Sequence, residues 1–279
     1  MLSPTDRGGA SLAGAAGTLA ALLAARTGQQ IATDRAWRVD TALKPLLRER
    51  GLDDLDALVR DLLVGADPSL PDRIVDALLN QETSFFRDAT MFDLIVGAVQ
   101  ELAPGRRARI WSAGCSTGQE PLSLAMLLAE RDGGPFEILA TDVSEGALAR
   151  ARVGRYTQFE IQRGLPVRRM MRWFDDIDGE WIAKPDLLRH IAFRRLNMLT
   201  DLALPGRFDL VLCRNLLLYL DPVQRMAVFD RLAAALRPGG LLVLGAGETV
   251  IGQTEAFAPS TRFRGFYEAT GSVGRRAAA

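Results

Sequence analysis

Residues Ala113-Gly114-Cys115-Ser116-Thr117-Gly118-Gln119-Glu120-Pro121 follow a strand-like apolar run and lead into a helix-like one. Small residues at a strand-to-helix turn let a ligand approach the backbone closely, and Glu120 adds a carboxylate at the helix start. No Gly-Lys-Ser/Thr follows, so this is not a P-loop, and the full G-x-G-x-x-G of a dinucleotide fold is absent. About twenty residues on, the next strand-like run ends in Ala140-Thr141-Asp142, where an adenosine-binding α/β fold places its acceptor for ribose hydroxyls. The alternative role for Asp142 is a helix cap, for which Ser144 is better placed. Two further runs end in Asn197-Met198 and Cys213-Arg214-Asn215. Amides suit an adenine edge and one acid suits a diol, so the set favours a nucleoside over a phosphate-rich ligand. Gly114 to Gly118 also matches the G-x-S-x-G nucleophile elbow. A hydrolase would need His190 as its base, yet that residue precedes the third strand instead of lying late in the fold.

Composition narrows the chemistry. The 279 residues hold one His and two Cys, with 34 Lys+Arg against 34 Asp+Glu. Zinc sites draw on several His or Cys, so no metal is expected, and catalysis by imidazole has only His190 to use. Zero net charge lacks the broad basic footprint of a nucleic-acid binder. Cys115 and Cys213 read as free thiols of a reducing cytoplasm. The Ala-rich run at 11–25 lacks the charged flank of a signal peptide, and no stretch approaches the roughly 18 to 20 unbroken apolar residues of a membrane span.

The elements that must position these residues fall into two regions. From 18 to 90 apolar residues recur at three- and four-residue spacing, with breaks at Gly51, Gly65 and Pro68 to Pro71, which predicts three or four short helices. The second of these carries Arg35, Arg38, Lys44, Arg48 and Arg50; a solvated face is the default reading and a docking surface for an acidic partner the minority one. From 107 the rhythm is strand then helix: strands at RARIWSAG, FEILATD, IAFRRLN, FDLVLCRN, LLVLGAG and RFRGFYEA, with helices at EPLSLAMLLAER, EGALARARV and PVQRMAVFDRLAAALRPGG, the last ending at Gly239. This alternation predicts a mostly parallel sheet with helices on both faces and ligands at the strands' carboxyl ends. Tyr156 to His190 interrupt the order, and DIDGEW within them reads as a hairpin turn.

QETSFFRD (81–88), RIWSAGCSTGQEPLSLAM (109–126), LATDVSEGALARARVGRY (139–156), FRRLNML (193–199) and FDLVLCRNLLLYLDPVQ (208–224), followed by LRPGGLLVLGAGE, together resemble the chemotaxis receptor methyltransferases of the CheR type, in order, from residue 18 to 268. The resemblance implies an α/β, class I S-adenosylmethionine (SAM) methyltransferase domain, Rossmann-like with a seven-stranded mostly parallel sheet, plus an N-terminal all-helical domain and a small inserted β-subdomain. The expected limits are a tail at 1–17, the helical domain at 18–90, the methyltransferase domain at 91–271 with its insert at 155–190, and a tail at 272–279. The implied reaction takes a methyl group from SAM to receptor glutamates, giving glutamyl methyl esters and S-adenosylhomocysteine.

Carried over residue by residue, the resemblance puts Gln81, Thr83 and Arg87 at the cofactor and active site, Glu120 beside the methionine end of SAM, and Asp142 on the ribose. Gly114 lies in the cofactor loop, Asn197 and Met198 border the adenine, Arg214 and Asn215 line the pocket, and Arg87 and Tyr219 orient the substrate glutamate as the catalytic pair. The family usually has Asn-x-Thr where this chain has Gln81-Glu82-Thr83, which keeps the amide and adds a methylene. Its basic second helix meets the receptor; here Ala42 interrupts the charges and Pro45 lies inside, at a cost of about 3 kcal/mol, predicting a kink or early break. The short turn at DDIDGEW implies a member that does not depend on a receptor's C-terminal pentapeptide. The implied protein is a cytoplasmic monomer acting on receptor cytoplasmic domains, without nucleic acid or membrane insertion.

Sulfonium and carboxylate are already an electrophile and an ionised nucleophile at neutral pH, so no general base is required. Asn215-Leu216-Leu217-Leu218-Tyr219 sits where amino-group methyltransferases have Asn-Pro-Pro-Tyr but lacks both prolines. A SAM-dependent methyltransferase for another substrate remains the alternative enzyme. A non-catalytic SAM-sensing module is the alternative of a different class, and its mark would be loss of Glu120, Asp142 or Arg87, none of which is lost.

Overall fold

The computed structural model describes residues 14–32, 35, 37–131, 134–200 and 206–271, so the expected tails lie outside them except at 14–17, which are helical. The chain forms two compact units that divide between Asn80 and Gln81. Sequence reading put this boundary at 90; QETSFFRD instead packs into the second unit, where Phe85 and Phe86 are buried with Phe92 and Ile95.

The first unit contains α1 (Gly14–Thr27), α2 (Trp37–Arg50), α3 (Leu55–Val64) and α4 (Leu70–Leu78). Each contributes to one apolar centre of Leu19, Leu23, Val39, Leu43, Leu58 and Ile74. Asp54 caps α3 by accepting from the Ala57 amide at 2.7 Å, and Gly65 ends it in the left-handed conformation. The expected break at Pro45 does not occur: α2 runs on to Arg50, held by the buried Leu43 and Leu46 on its inner face. Arg50 pairs with Asp61 and Asp67, each at 2.8 Å, which removes it from the exposed basic cluster.

The second unit opens with α5 (Ala89–Leu102), β1 (Ala108–Ala113), α6 (Gln119–Glu130), β2 (Phe136–Asp142) and α7 (Glu145–Val153). An insert follows, made of β3 (Arg155–Thr157), α8 (Gln158–Gln162), α9 (Val167–Trp173), β4 (Phe174–Ile177), β5 (Glu180–Ala183) and α10 (Pro185–Leu188). The chain then continues through β6 (Ile191–Arg195), β7 (Phe208–Cys213), α11 (Pro222–Ala235), β8 (Leu236–Leu244), β9 (Phe257–Pro259) and β10 (Tyr267–Ala269).

The main sheet has seven strands in the order β6-β2-β1-β7-β8-β10-β9. Five are parallel, and β10 and β9 close the edge antiparallel. All six residues of β7 are buried, as a central parallel strand covered on both faces demands. Alternate residues feed opposite layers: Ile110, Leu210 and Leu212 join one apolar cluster, Trp111, Val211 and Cys213 the other.

The helix expected to reach Gly239 stops at Ala235, and β8 begins at once. Pro238 cannot continue a helix and biases Arg237 toward extended backbone, while a register shift opposite Phe208 and Leu210 absorbs the extra residues. The single closing strand expected at RFRGFYEA is the shorter β10, paired with β9, which sequence reading did not foresee. Within the insert, β3-β5-β4 form a separate three-stranded sheet. Asp178 (φ 55°) and Gly179 (φ 81°) make the left-handed two-residue turn that DIDGEW predicts, joining β4 to β5.

Candidate functional site

The expected site residues lie on the second unit, mostly beyond the carboxyl ends of β1, β2, β6 and β7. After β1 the loop is anchored by the Gly114 and Cys115 amides, which donate to the Thr141 carbonyl at 2.8 and 2.9 Å. Gly118 has φ 95°, and a Cβ there would fall 3.0 Å from that of Ala151 and 3.2 Å from the Tyr156 hydroxyl. The loop therefore needs glycine at this position for both conformation and space. Tyr156, buried in β3, donates to the Thr117 carbonyl at 2.7 Å and braces the loop from the insert.

Asp142 at the end of β2 accepts from the Ser116 amide at 2.8 Å and the Ser144 amide at 3.0 Å. Ser144, not Asp142, caps α7 by accepting from Ala147 at 3.0 Å, so the helix-cap alternative falls to its neighbour. Gln81 joins the cluster: its side-chain amide donates to Ser144 Oγ at 3.3 Å, and its carbonyl accepts from Ser116 Oγ at 3.0 Å. Thr83 and Gln81 line a cavity of about 110 Å³ with Thr117 and Gln119.

Glu120 accepts from Ser112 Oγ at 2.8 Å and from Arg214 Nη1 at 3.1 Å. Arg214, expected to line the pocket, is a buried strut: its side chain is 2 % exposed, and Nη2 donates to Asp88 at 2.6 Å and to the Arg87 carbonyl at 2.8 Å. It thereby ties the β7 end to QETSFFRD, whose Phe86 and Asp88 adopt positive φ. The half-buried Arg87 guanidinium forms no ion pair among the described residues, in contrast to Arg214 beside it.

Asn215, at φ 57°, starts the turn that carries Tyr219, within the 3-10 segment Leu217–Tyr219. Glu248 organises that turn. Its carboxylate accepts from the amides of Asn215 at 2.7 Å, Leu217 at 2.9 Å and Gly245 at 2.9 Å. Sequence reading missed Glu248, Asp88 and Tyr156; the available signal for Glu248 was an acid in the Gly-Ala-Gly-Glu just beyond a strand end. Asn197 uses its side-chain oxygen on the Leu199 amide at 3.0 Å, and Met198 is buried in the cluster with Trp111 and Phe208.

The nucleophile-elbow alternative fails on geometry. His190 stacks on Phe136 with ring centroids 4.4 Å apart, at the amino end of β6. Five strand residues separate it from the ligand end, roughly 17 Å. Burial and Arg189 lower its pKa, so it is neutral at pH 7. Burial, reinforced by Asp142 and Glu120, raises the Cys115 thiol well above its ordinary pKa and leaves it unreactive. Among the described residues no group of three or more His, Cys, Asp or Glu could hold a metal ion, and no helix is long and apolar enough to cross a membrane.

The polar set fits a nucleoside that carries a cationic centre and an amino-acid tail. Two acids stand beyond neighbouring strands, Glu120 in the first turn of α6 after β1 and Asp142 at the end of β2, and Arg214 Nε is a buried donor without an acceptor among the described residues. Residues 81–264 match the family model described as "CheR methyltransferase, SAM binding domain". The chain is 36% identical over 244 residues to a chemotaxis protein methyltransferase of Vibrio parahaemolyticus, covering 84% of this chain and 89% of that one. It is 35% identical over 231 residues to chemotaxis protein methyltransferase Cher2 of Pseudomonas putida (78% and 84% covered), and 30% identical over 234 residues to the Escherichia coli chemotaxis protein methyltransferase (81% of each).

Proposed function

This chain belongs to the CheR methyltransferase family, and from that premise we propose that it methylates glutamate side chains of chemotaxis receptors, giving glutamyl methyl esters. It is a SAM-dependent methyltransferase of class I fold. The observation that carries the choice of acceptor is Arg87: both terminal nitrogens of Arg214 are taken by Asp88 and Glu120, whereas Arg87 beside it has no carboxylate among the described residues. A substrate carboxylate is its natural partner.

When bound, SAM supplies a methyl group already activated on a sulfonium. Asp142 holds the ribose, with Gln81 and Ser144 beside it, and Glu120, held by Arg214, faces the methionine end. Gly114 and Asn215 border the cofactor with their backbone, Thr83 lies at its edge, and Asn197 and Met198 flank the adenine. Arg87 and Tyr219 align the glutamate oxygen for in-line attack. No protein group takes or gives a proton, because the acceptor is ionised at neutral pH. Alignment and exclusion of water are the contributions left to the protein. A mobile or indirect contact from Arg87 orients the nucleophile without the bidentate clamp that would stabilise the ground state and slow attack.

The exposed cations that remain in and just before α2, Lys44, Arg48 and Arg35, with the half-buried Arg38, supply a further contact to an acidic receptor. The protein acts as a cytoplasmic monomer, and its two-residue hairpin at Asp178-Gly179 suits docking without a receptor pentapeptide. The test incubates the protein with methyl-labelled SAM and receptor cytoplasmic fragments. Base-labile label on receptor glutamates supports the reading. Tight SAM binding without transfer to any fragment overturns it in favour of a sensing module, and transfer to another acceptor assigns a different substrate.

A further inference from the structure

A glutamate side chain spans roughly 5 Å from backbone to carboxylate, so the segment carrying the substrate must lie against whatever surrounds Arg87. One such element is α9. The Phe85 amide donates to the Arg163 carbonyl at 3.1 Å just ahead of it, and a Cβ at Gly164 would fall 2.0 Å from the Phe85 carbonyl oxygen. Arg169 of α9 lies 4.8 Å from the ring centroid of Phe86, the residue before Arg87.

The inner face of α9 is tied down. Arg169 and Trp173 both donate to Glu130 at 2.9 Å, and Met170 packs on the core. The outer face holds Val167 and Met171, 69% and 63% exposed, alongside Arg168 and Arg172, which form no ion pair among the described residues. These are two adjacent i, i+4 rows, one apolar and one basic. Solubility accounts for the arginines but not for a valine and a methionine stacked in water beside them. A partner that covers this face needs carboxylates and an apolar stripe.

We infer that Val167, Arg168, Met171 and Arg172 form a docking surface for the acidic, amphipathic receptor segment that carries the substrate glutamates. The inference rests on the receptor-methylation reading and adds to it a specificity surface within the insert. It explains how an insert with a minimal hairpin contributes to substrate selection: by a helix face next to the catalytic loop.

The test compares full-length wild type with R168E/R172E and V167S/M171S, using receptor cytoplasmic fragments and labelled SAM. Both variants raise the KM for receptor, the charge reversal by about 10-fold or more, while kcat and SAM affinity stay at wild-type values. R107E/R189E, the same charge change at the opposite end of the sheet, leaves KM unmoved. An unchanged KM in R168E/R172E, or an equal rise in the control, overturns the docking surface while leaving the methylation reading intact. A wild type that methylates no receptor fragment sinks both. If V167S/M171S turns a dimer into a monomer in sedimentation without changing KM, the face belongs to a second copy of the chain and the inference fails.

Discussion

Asp142 illustrates what one residue can disclose from its place in a sequence. Its position at the end of the second strand marked it as a ribose acceptor, and the structure adds two backbone amides that hold its carboxylate in place. Charge-assisted hydrogen bonds contribute about 1.5–3 kcal/mol each, so Asp142→Ala should weaken SAM binding by roughly 10- to 100-fold in calorimetry. An unchanged affinity would remove the ribose assignment. Arg214 is the opposite case, because a side chain's direction depends on what surrounds it. Asp88, far earlier in the chain, turns it inward, while Arg87 beside it forms no ion pair among the described residues.

At the scale of elements, the strands and helices around the site were legible because apolar periodicity and Gly or Pro punctuation mark them. Their couplings were not, since each depends on long-range contacts. Glu248 grips the Asn215–Leu217 turn from the far end of β8. Glu248→Ala should therefore lower kcat by about 10-fold or more through displacement of Tyr219, and wild-type turnover in that variant would refute the role. Tyr156 connects the insert to the cofactor loop and packs edge-on against Phe85, with centroids 5.1 Å apart. Tyr156→Phe keeps the ring and leaves the Thr117 carbonyl without its donor. Stability should fall by about 1–2 kcal/mol in denaturant titration, with a weaker SAM affinity; full retention of both would mean the brace is dispensable.

For the molecule as a whole, Asp209 joins the amino ends of the central strands. Its side chain, 3% exposed, accepts from Arg106 at 2.6 and 2.8 Å, from Arg237 at 2.7 Å and from the Arg109 amide at 2.9 Å. Burial opposes its ionisation, but these donors outweigh burial and lower the pKa. A depressed carboxylate pKa stabilises the fold above the unfolded value of about 3.9, and that contribution is lost as pH falls through the folded value. Asp209→Asn should cost about 2 kcal/mol at pH 7, since the arginines are partly solvated, and the variant's stability should fall less steeply below about pH 4. Parallel acid-unfolding curves for the two proteins would refute this.

Local rules acting on the sequence alone determined the main alternation of strands and helices, the glycine-containing loop after β1, the acid at the end of β2 and, through several short motifs taken together, the family, because each motif is encoded within a few consecutive residues. Tertiary structure decided the rest: that Pro45 stays inside a helix, that QETSFFRD belongs with the second unit, that Arg214 is a strut, and that α9 turns a basic and apolar face outward. Each of those outcomes depends on which distant groups share a buried volume, and spacing along a chain does not record that.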